Sequence, residues 1–232
     1  LDRETALWRS LLYVTFYKLS SAEEAWQQYP DPQLVSPSDF RKPTGFERRG
    51  FRGNDKAAQN VNDTLAAADS AGGLLAWVLS NPYADGWDGV RRQFQTISGN
   101  GPWASYKWAD ILRNVHDFPI VASDIGAGGG GQTAGPIPGM MRLTGQPWQV
   151  CATDTLLQRS LLRQAQAAGV PFDGLDQLET CLCDYNTLCK GNYYTGHDID
   201  AMMTGLTPGS AVWAARRQAF DPVLLGEVNG WP

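Results

Sequence analysis

The sequence predicts an all-α protein. Three observations carry this. Apolar residues recur at three- and four-residue spacing through most of the chain, as in Trp87, Val90, Phe94 and Ile97. No pair of alternating apolar–polar segments reads as a strand hairpin, and no internal repeat is visible. Glycine and proline are gathered into two long stretches instead of being spread as frequent short turns. The 232 residues suit a single domain spanning 1–232, and 43% hydrophobic residues can fill a core.

The elements follow in order. Residues 3–19 read as a largely buried helix, with Leu7, Leu11, Leu12, Val14 and Phe16 among aromatics and a thin polar face. Ser20 or Ser21 is the expected cap of a second helix, with Glu23 and Glu24 in its first turn. Pro30, Pro32, Pro37 and Pro43 make residues 30–53 a long irregular segment. Asn54 opens a helix over about 55–70, a short apolar helix covers 72–80, and another runs over 85–97. The turn Ile97-Ser98-Gly99-Asn100-Gly101 then leads into Pro102, which suits the first turn of the next helix. On that helix Trp103, Lys107, Asp110 and Asn114 share one face, while Ala104, Trp108, Ile111, Leu112 and Val115 are apolar. Residues 118–147 are crowded with glycine and proline and read as a second long loop. One helix is expected over 149–168, closed by Gly169, with others at 174–189, 197–204 and 208–219.

The hairpin 97–103 points to chemistry. Gly99, Asn100, Gly101 and Trp103 would present backbone amides at a helix N-terminus, which is an anion site suited to a DNA phosphate. Downstream, Phe118-Pro119-Ile120 leads to Asp124, one carboxylate in a short polar loop. Asp also serves commonly as an N-cap or in an Asx-turn. The hairpin before it and the glycine run after it favour a catalytic carboxylate. Gly128, Gly129 and Gly130 leave amides free to meet a phosphate or carboxylate, with Gln132 and Thr133 beside them; the plain alternative is a flexible linker, but Pro136 and Pro138 favour a shaped loop.

The net charge of −5 is unusual for a protein that neutralises phosphates. The charge is uneven, however: residues 41–56 carry Arg41, Lys42, Arg48, Arg49, Arg52 and Lys56 against Glu47 and Asp55, a local balance of +4. Arg48, Arg49 and Arg52 sit between glycines and aromatics, as a shaped anion site would. Lys107 suits a phosphate or pyrophosphate, or equally a snorkelling surface role. His197 and Asp198 form a polar knot after Tyr193 and Tyr194, and Asp198 could simply cap a helix. His116, near the end of the hairpin helix, is expected to favour its charged form through the helix dipole. With two histidines in the chain, neither a Ser-His-Asp triad nor a multi-histidine metal site is expected.

Four cysteines, Cys151, Cys181, Cys183 and Cys189, match an iron–sulfur pattern only in the spacing of Cys183 to Cys189, so buried reduced thiols are expected and no cluster. No cofactor is required; a divalent cation could sit on Asp110 and Asp198, though no motif demands it. No apolar run approaches the ~20 residues that span a bilayer and no signal peptide is visible, so no membrane partner is expected.

The order of a hydrophobic residue, Gly-x-Gly, a helix, Phe-Pro-Ile and Asp124 resembles the helix-hairpin-helix DNA glycosylases. The run Ile125 to Gly139 departs from them and looks like the amino acid:DNA transferase and alpha-glutamyl/putrescinyl-thymine pyrophosphorylase families of phages. Arg48-Arg49-Gly50-Phe51-Arg52-Gly53, Gly101 to Asp110, Trp8 to Tyr17 and Lys190 to Asp200 fit the same family, in order along most of the chain. The resemblance implies a helix-hairpin-helix, glycosylase-like fold with long irregular loops. It also implies a substrate of double-stranded DNA carrying a thymine-derived base, 5-pyrophosphoryloxymethyluracil, whose pyrophosphate is displaced by an amine, glycine being the simplest. Asp124 would be catalytic, the arginines and loop amides would hold pyrophosphate, and the setting would be the cytoplasm of an infected bacterial host. Bifunctional glycosylases carry a lysine two residues after the second hairpin glycine. Trp103 stands there, so strand-cleaving lyase chemistry is not expected. Two rivals remain: a glycosylase excising a modified or damaged base, and a DNA-binding module without catalysis.

Overall fold

The computed structural model describes residues 2–32, 42–45, 55–80, 86–126, 135–191, 197–203 and 205–219, without the side chains of 198–200, 216 and 217. Among the described residues all regular structure is helical, in twelve helices. No described helix is long and apolar enough to cross a membrane.

Helix α1 (Arg3–Phe16) is the centre of the fold, with Leu7, Trp8, Leu11, Leu12, Val14 and Phe16 fully buried. Asp2 caps it by accepting from the Thr5 amide at 2.9 Å. The helix stops before residue 19 because Tyr17 turns left-handed, with φ of 45°. Helix α2 (Leu19–Gln28) therefore begins earlier than expected. Ser20 and Ser21 lie buried within it and do not cap it; the Ser21 hydroxyl donates to the Pro43 carbonyl. Helix α3 (Lys56–Ala71) ends at Gly72, and α4 (Leu74–Leu79) follows. The carboxylate of Glu4 in α1 accepts from the Leu74 amide and, at 2.9 Å, from the Leu75 amide, fixing the start of α4 on the central helix.

Helices α5 (Gly86–Gln95) and α6 (Pro102–Asn114) pack against each other, with Phe94 stacked on Trp108 at 5.1 Å between ring centroids. Two expectations for the second half are corrected. The glycine–proline stretch 118–147 is not loop throughout, because Pro136–Thr144 is helix α7. Pro136 occupies the first turn, where a missing N–H costs nothing. The expected helix 149–168 is two, α8 (Trp148–Thr153) and α9 (Thr155–Ala167), divided at Asp154, whose side chain accepts from the Leu157 amide.

Helix α10 (Leu175–Leu188) lies so close to α7 that a methyl group at Gly139 would collide with the Leu182 carbonyl. Arg113 ties α6 to α10, donating to the buried Asp176 carboxylate at 2.6 Å and to Asp173 at 2.9 Å. Helices α11 (His197–Met203) and α12 (Ala211–Gln218) complete the described chain.

Candidate active site

The hairpin joining α5 to α6 is held from below. Asn60 of α3, fully buried, donates through Nδ2 to the Ser98 carbonyl at 2.7 Å and to the Asn100 side-chain oxygen at 3.0 Å. The Gln95 side chain crosses the turn to the Ser105 hydroxyl at 2.7 Å. Gly99 has φ of 86°, which a side chain would strain. Gly101 is different: its φ is −75°, and a Cβ there would meet open space. The fold does not require glycine at 101, whereas a ligand approaching the backbone would. Trp103 rests against Tyr17, ring edge to face, at 4.6 Å.

Asp124 lies in the loop that follows α6, near the end of the described stretch 86–126. The Ile125 amide donates to the buried Gln158 side chain of α9 at 3.3 Å, and Gln158 donates onward to the Cys151 carbonyl at 3.0 Å. The Asp124 Oδ1 accepts from the Gly126 amide at 2.5 Å, which is an Asx-turn. The other oxygen lies 3.9 Å from the Arg91 guanidinium and the side chain keeps 21% of its exposure. Asp124 is thus both the turn residue and an oriented, accessible carboxylate.

Arg91, at 7% exposure, also pairs with Asp88 at 3.3 Å and lies 5.5 Å from the centre of the Tyr106 ring. Trp87 meets the same ring at 5.2 Å, and a Cβ on Gly126 would press on Tyr106 Cε2 at 3.2 Å. Three buried donors in this cluster have no hydrogen-bond partner among the described residues: Trp87 Nε1, Arg91 Nε and the Tyr106 hydroxyl. Unsatisfied buried donors are uncommon and ask for a ligand or water.

Lys107 lies one position along α6 from Tyr106. Its ammonium is 3.6 Å from Asp110 and 3.8 Å from Glu179 of α10. Burial opposes its charge, but Glu179, and after it Tyr17 and Asp110, outweigh burial and hold its pKa above the ordinary lysine value. Burial raises the Glu179 and Asp110 carboxyls above their ordinary values, and Lys107 offsets this only in part. With two carboxylates on it, the Lys107 ammonium already has partners that any incoming anion must compete with.

The other sequence candidates divide simply. Arg48, Arg49, Arg52, Gly128, Gly129, Gly130, Gln132 and Thr133 lie outside the described residues, as does the Asp198 side chain. His197 is exposed at the start of α11. His116 corrects the expectation of a dipole-stabilised charge: burial, then the neighbouring Arg3, lowers its pKa, and its Nε2 shares a hydrogen bond with the Ser10 hydroxyl at 2.9 Å. Of the cysteines, Cys151 is buried, Cys181 and Cys189 are exposed, and no group of three or more His, Cys, Asp or Glu among the described residues could hold a metal ion. A 930 Å³ concavity lined by Asp2, Glu4, Asp31 and Asp69 lies elsewhere and has the wrong charge for DNA.

Sequence reasoning missed Arg91, Glu179 and the setting of Tyr106. A signal existed. Arg91 is four residues after the buried Trp87, and Glu179 four after the buried Leu175, so each charge occupies a core-facing position of its helix.

A turn at a helix N-terminus is thus followed along the chain by one oriented carboxylate, Asp124, at the head of the glycine run. The family model of amino acid:DNA transferases matches residues 5–194, from within α1 to beyond α10, and the chain belongs to that family. Membership gives it a transferase role with DNA and an amino acid as reactants. No curated protein and no solved structure matches the chain.

Proposed function

We propose that the protein replaces the pyrophosphate of 5-pyrophosphoryloxymethyluracil in duplex DNA with an amino acid, glycine being the donor that needs least room. The hairpin residues Gly99, Asn100, Gly101 and Trp103 hold the DNA backbone through amides at the start of α6. The modified base leaves the stack to reach Asp124, as base-modifying enzymes require. The amine nitrogen attacks the 5-methylene carbon. A C–N bond forms, the C–O bond breaks, and pyrophosphate departs with the electron pair. The surplus proton of the amine passes to the Asp124 carboxylate. The glycosidic bond is untouched. Arg48, Arg49 and Arg52, with the Gly128–Gly130 amides, Gln132 and Thr133, are assigned from the sequence to the leaving pyrophosphate.

The observation that carries this reading is the Asp124 turn, a carboxylate oriented by the Gly126 amide and Arg91 at the head of the glycine run. Asp124→Asn tests it. The amide keeps the oxygen that accepts from Gly126 but cannot take the proton. Transfer of labelled amino acid to DNA is expected to fall about 100-fold or more, with the melting temperature nearly unchanged. Wild-type transfer by this variant would remove Asp124 from the mechanism.

A further inference from the structure

The chain carries 24 acidic residues, yet two long segments beside the Asp124 turn are almost free of them. Residues 89–109, which run from α5 through the hairpin into α6, contain no Asp or Glu. Residues 125–172 contain one, Asp154, against Arg142, Arg159 and Arg163. Asp154 is engaged as the cap of α9, accepting from the Leu157 amide at 2.9 Å. Both segments touch the turn. Arg91 lies 3.9 Å from Asp124, and the Tyr106 ring lies against Gly126. From the second segment, Gln158 of α9 accepts from the Ile125 amide at 3.3 Å. One side chain therefore separates α9 from the turn.

Helix α9 offers its outer face to solvent. Of its 13 residues only Gln158 is fully buried, while Leu157, Leu161 and Leu162 pack in part on the core. Arg159 and Arg163 are exposed and stand one helical turn apart, which places them side by side on one face. Neither has an ion pair among the described residues, and α9 contains no Asp or Glu to supply one. A solvated helix face usually alternates charges at this spacing, and two like charges there repel. A polyanion lying along the helix reverses the sign of that term, and DNA is a reactant of this family.

We propose that the Arg159–Arg163 face of α9 is a DNA-backbone contact, in which the two guanidinium groups meet phosphates of the duplex beside the Asp124 turn. The surface goes beyond the transfer reading above and requires neither its amine nor its leaving group. It also gives a chain of net charge −5 a place to hold a polyanion, because carboxylates are kept out of α9. Phosphate contact fixes register and carries no base preference.

Binding of an unmodified duplex oligonucleotide to the full chain is measured by fluorescence anisotropy across a salt series, with amino acid transfer followed in parallel. Arg159→Ala combined with Arg163→Ala is expected to weaken duplex binding about tenfold or more at roughly 0.1 M salt, and to flatten the log–log salt slope by about two. The melting temperature should hold, since both side chains are exposed and without an ion pair. The KM for DNA should rise while the KM for the amino acid and kcat hold. Arg159→Lys with Arg163→Lys should recover most of the binding, because a phosphate accepts either cation. Unchanged affinity in the alanine pair overturns the surface. A weaker affinity with an unchanged salt slope overturns it equally, since that slope counts phosphate contacts. If the wild type binds duplex through these arginines yet transfers no amino acid, the transfer reading fails and the surface stands. If transfer is normal and the alanine pair binds like the wild type, the surface fails alone.

Discussion

Asp124 and His116 show how neighbours decide what a side chain can do. Asp124 spends one oxygen on its own turn and keeps the other beside Arg91, so its position is fixed without closing it to substrate. His116 is a structural residue. Its ring bonds Ser10 of α1, its backbone carbonyl accepts from Arg3 at 2.8 Å, and burial and Arg3 depress its pKa below 6.5. The folded state therefore binds the proton less readily than the unfolded state. Its contribution to stability is present above pH 6.5 and is lost as pH falls through that value towards the depressed one. Thermal melts across this range should show a falling midpoint on acidification in the wild type, with a shallower fall in His116→Gln. Equal slopes would contradict the assignment. The sequence placed His116 at a helix end, but not Arg3, 113 residues away, which sets its sign.

At the scale of elements, the hairpin is a device of α3 as much as of α5 and α6. Asn60 supplies the Ser98 and Asn100 contacts from a fully buried position. Asn60→Ala should cost about 1–3 kcal/mol, since it leaves a buried carbonyl unmatched. The DNA KM should rise while the glycine KM holds. A variant with unaltered DNA affinity would show that the turn keeps its shape unaided. The hairpin itself was legible, because Gly99, at a φ of 86°, and Pro102, in the first turn of α6, are punctuation that local geometry favours. Helix α7 was not. Pro136 and Pro138 read as loop residues, yet the first helical turn needs no N–H from them. Gly139 belongs in that helix because α10 leaves no room for a Cβ. The break at Asp154 was hidden by the strong helix formers that follow it; its capping bond to the Leu157 amide settles the boundary. Such features depend on partners distant in sequence, which local spacing does not report.

At the scale of the molecule, an acidic chain acts on a polyanion, and the two facts are compatible because charge is partitioned. Carboxylates gather where α6 meets α10, while Lys42, paired with Glu24 at 3.3 Å, belongs to the basic stretch that the sequence marks between 41 and 56. The all-α class and the position of Asp124 followed from spacing and punctuation. The cluster of Lys107, Asp110 and Glu179 did not, because its members lie on two helices separated by some seventy residues and each reads alone as an ordinary helix side chain.

The most direct measurement is nucleoside mass spectrometry. Duplex DNA carrying 5-pyrophosphoryloxymethyluracil is incubated with the protein and a pool of amino acids and polyamines, then digested. The expected result is a new thymidine adduct with the mass of a single amino acid, glycine, joined through nitrogen, with one pyrophosphate released per adduct and the sugar–base bond intact. Free base with abasic DNA left behind would contradict transfer and make the protein a glycosylase.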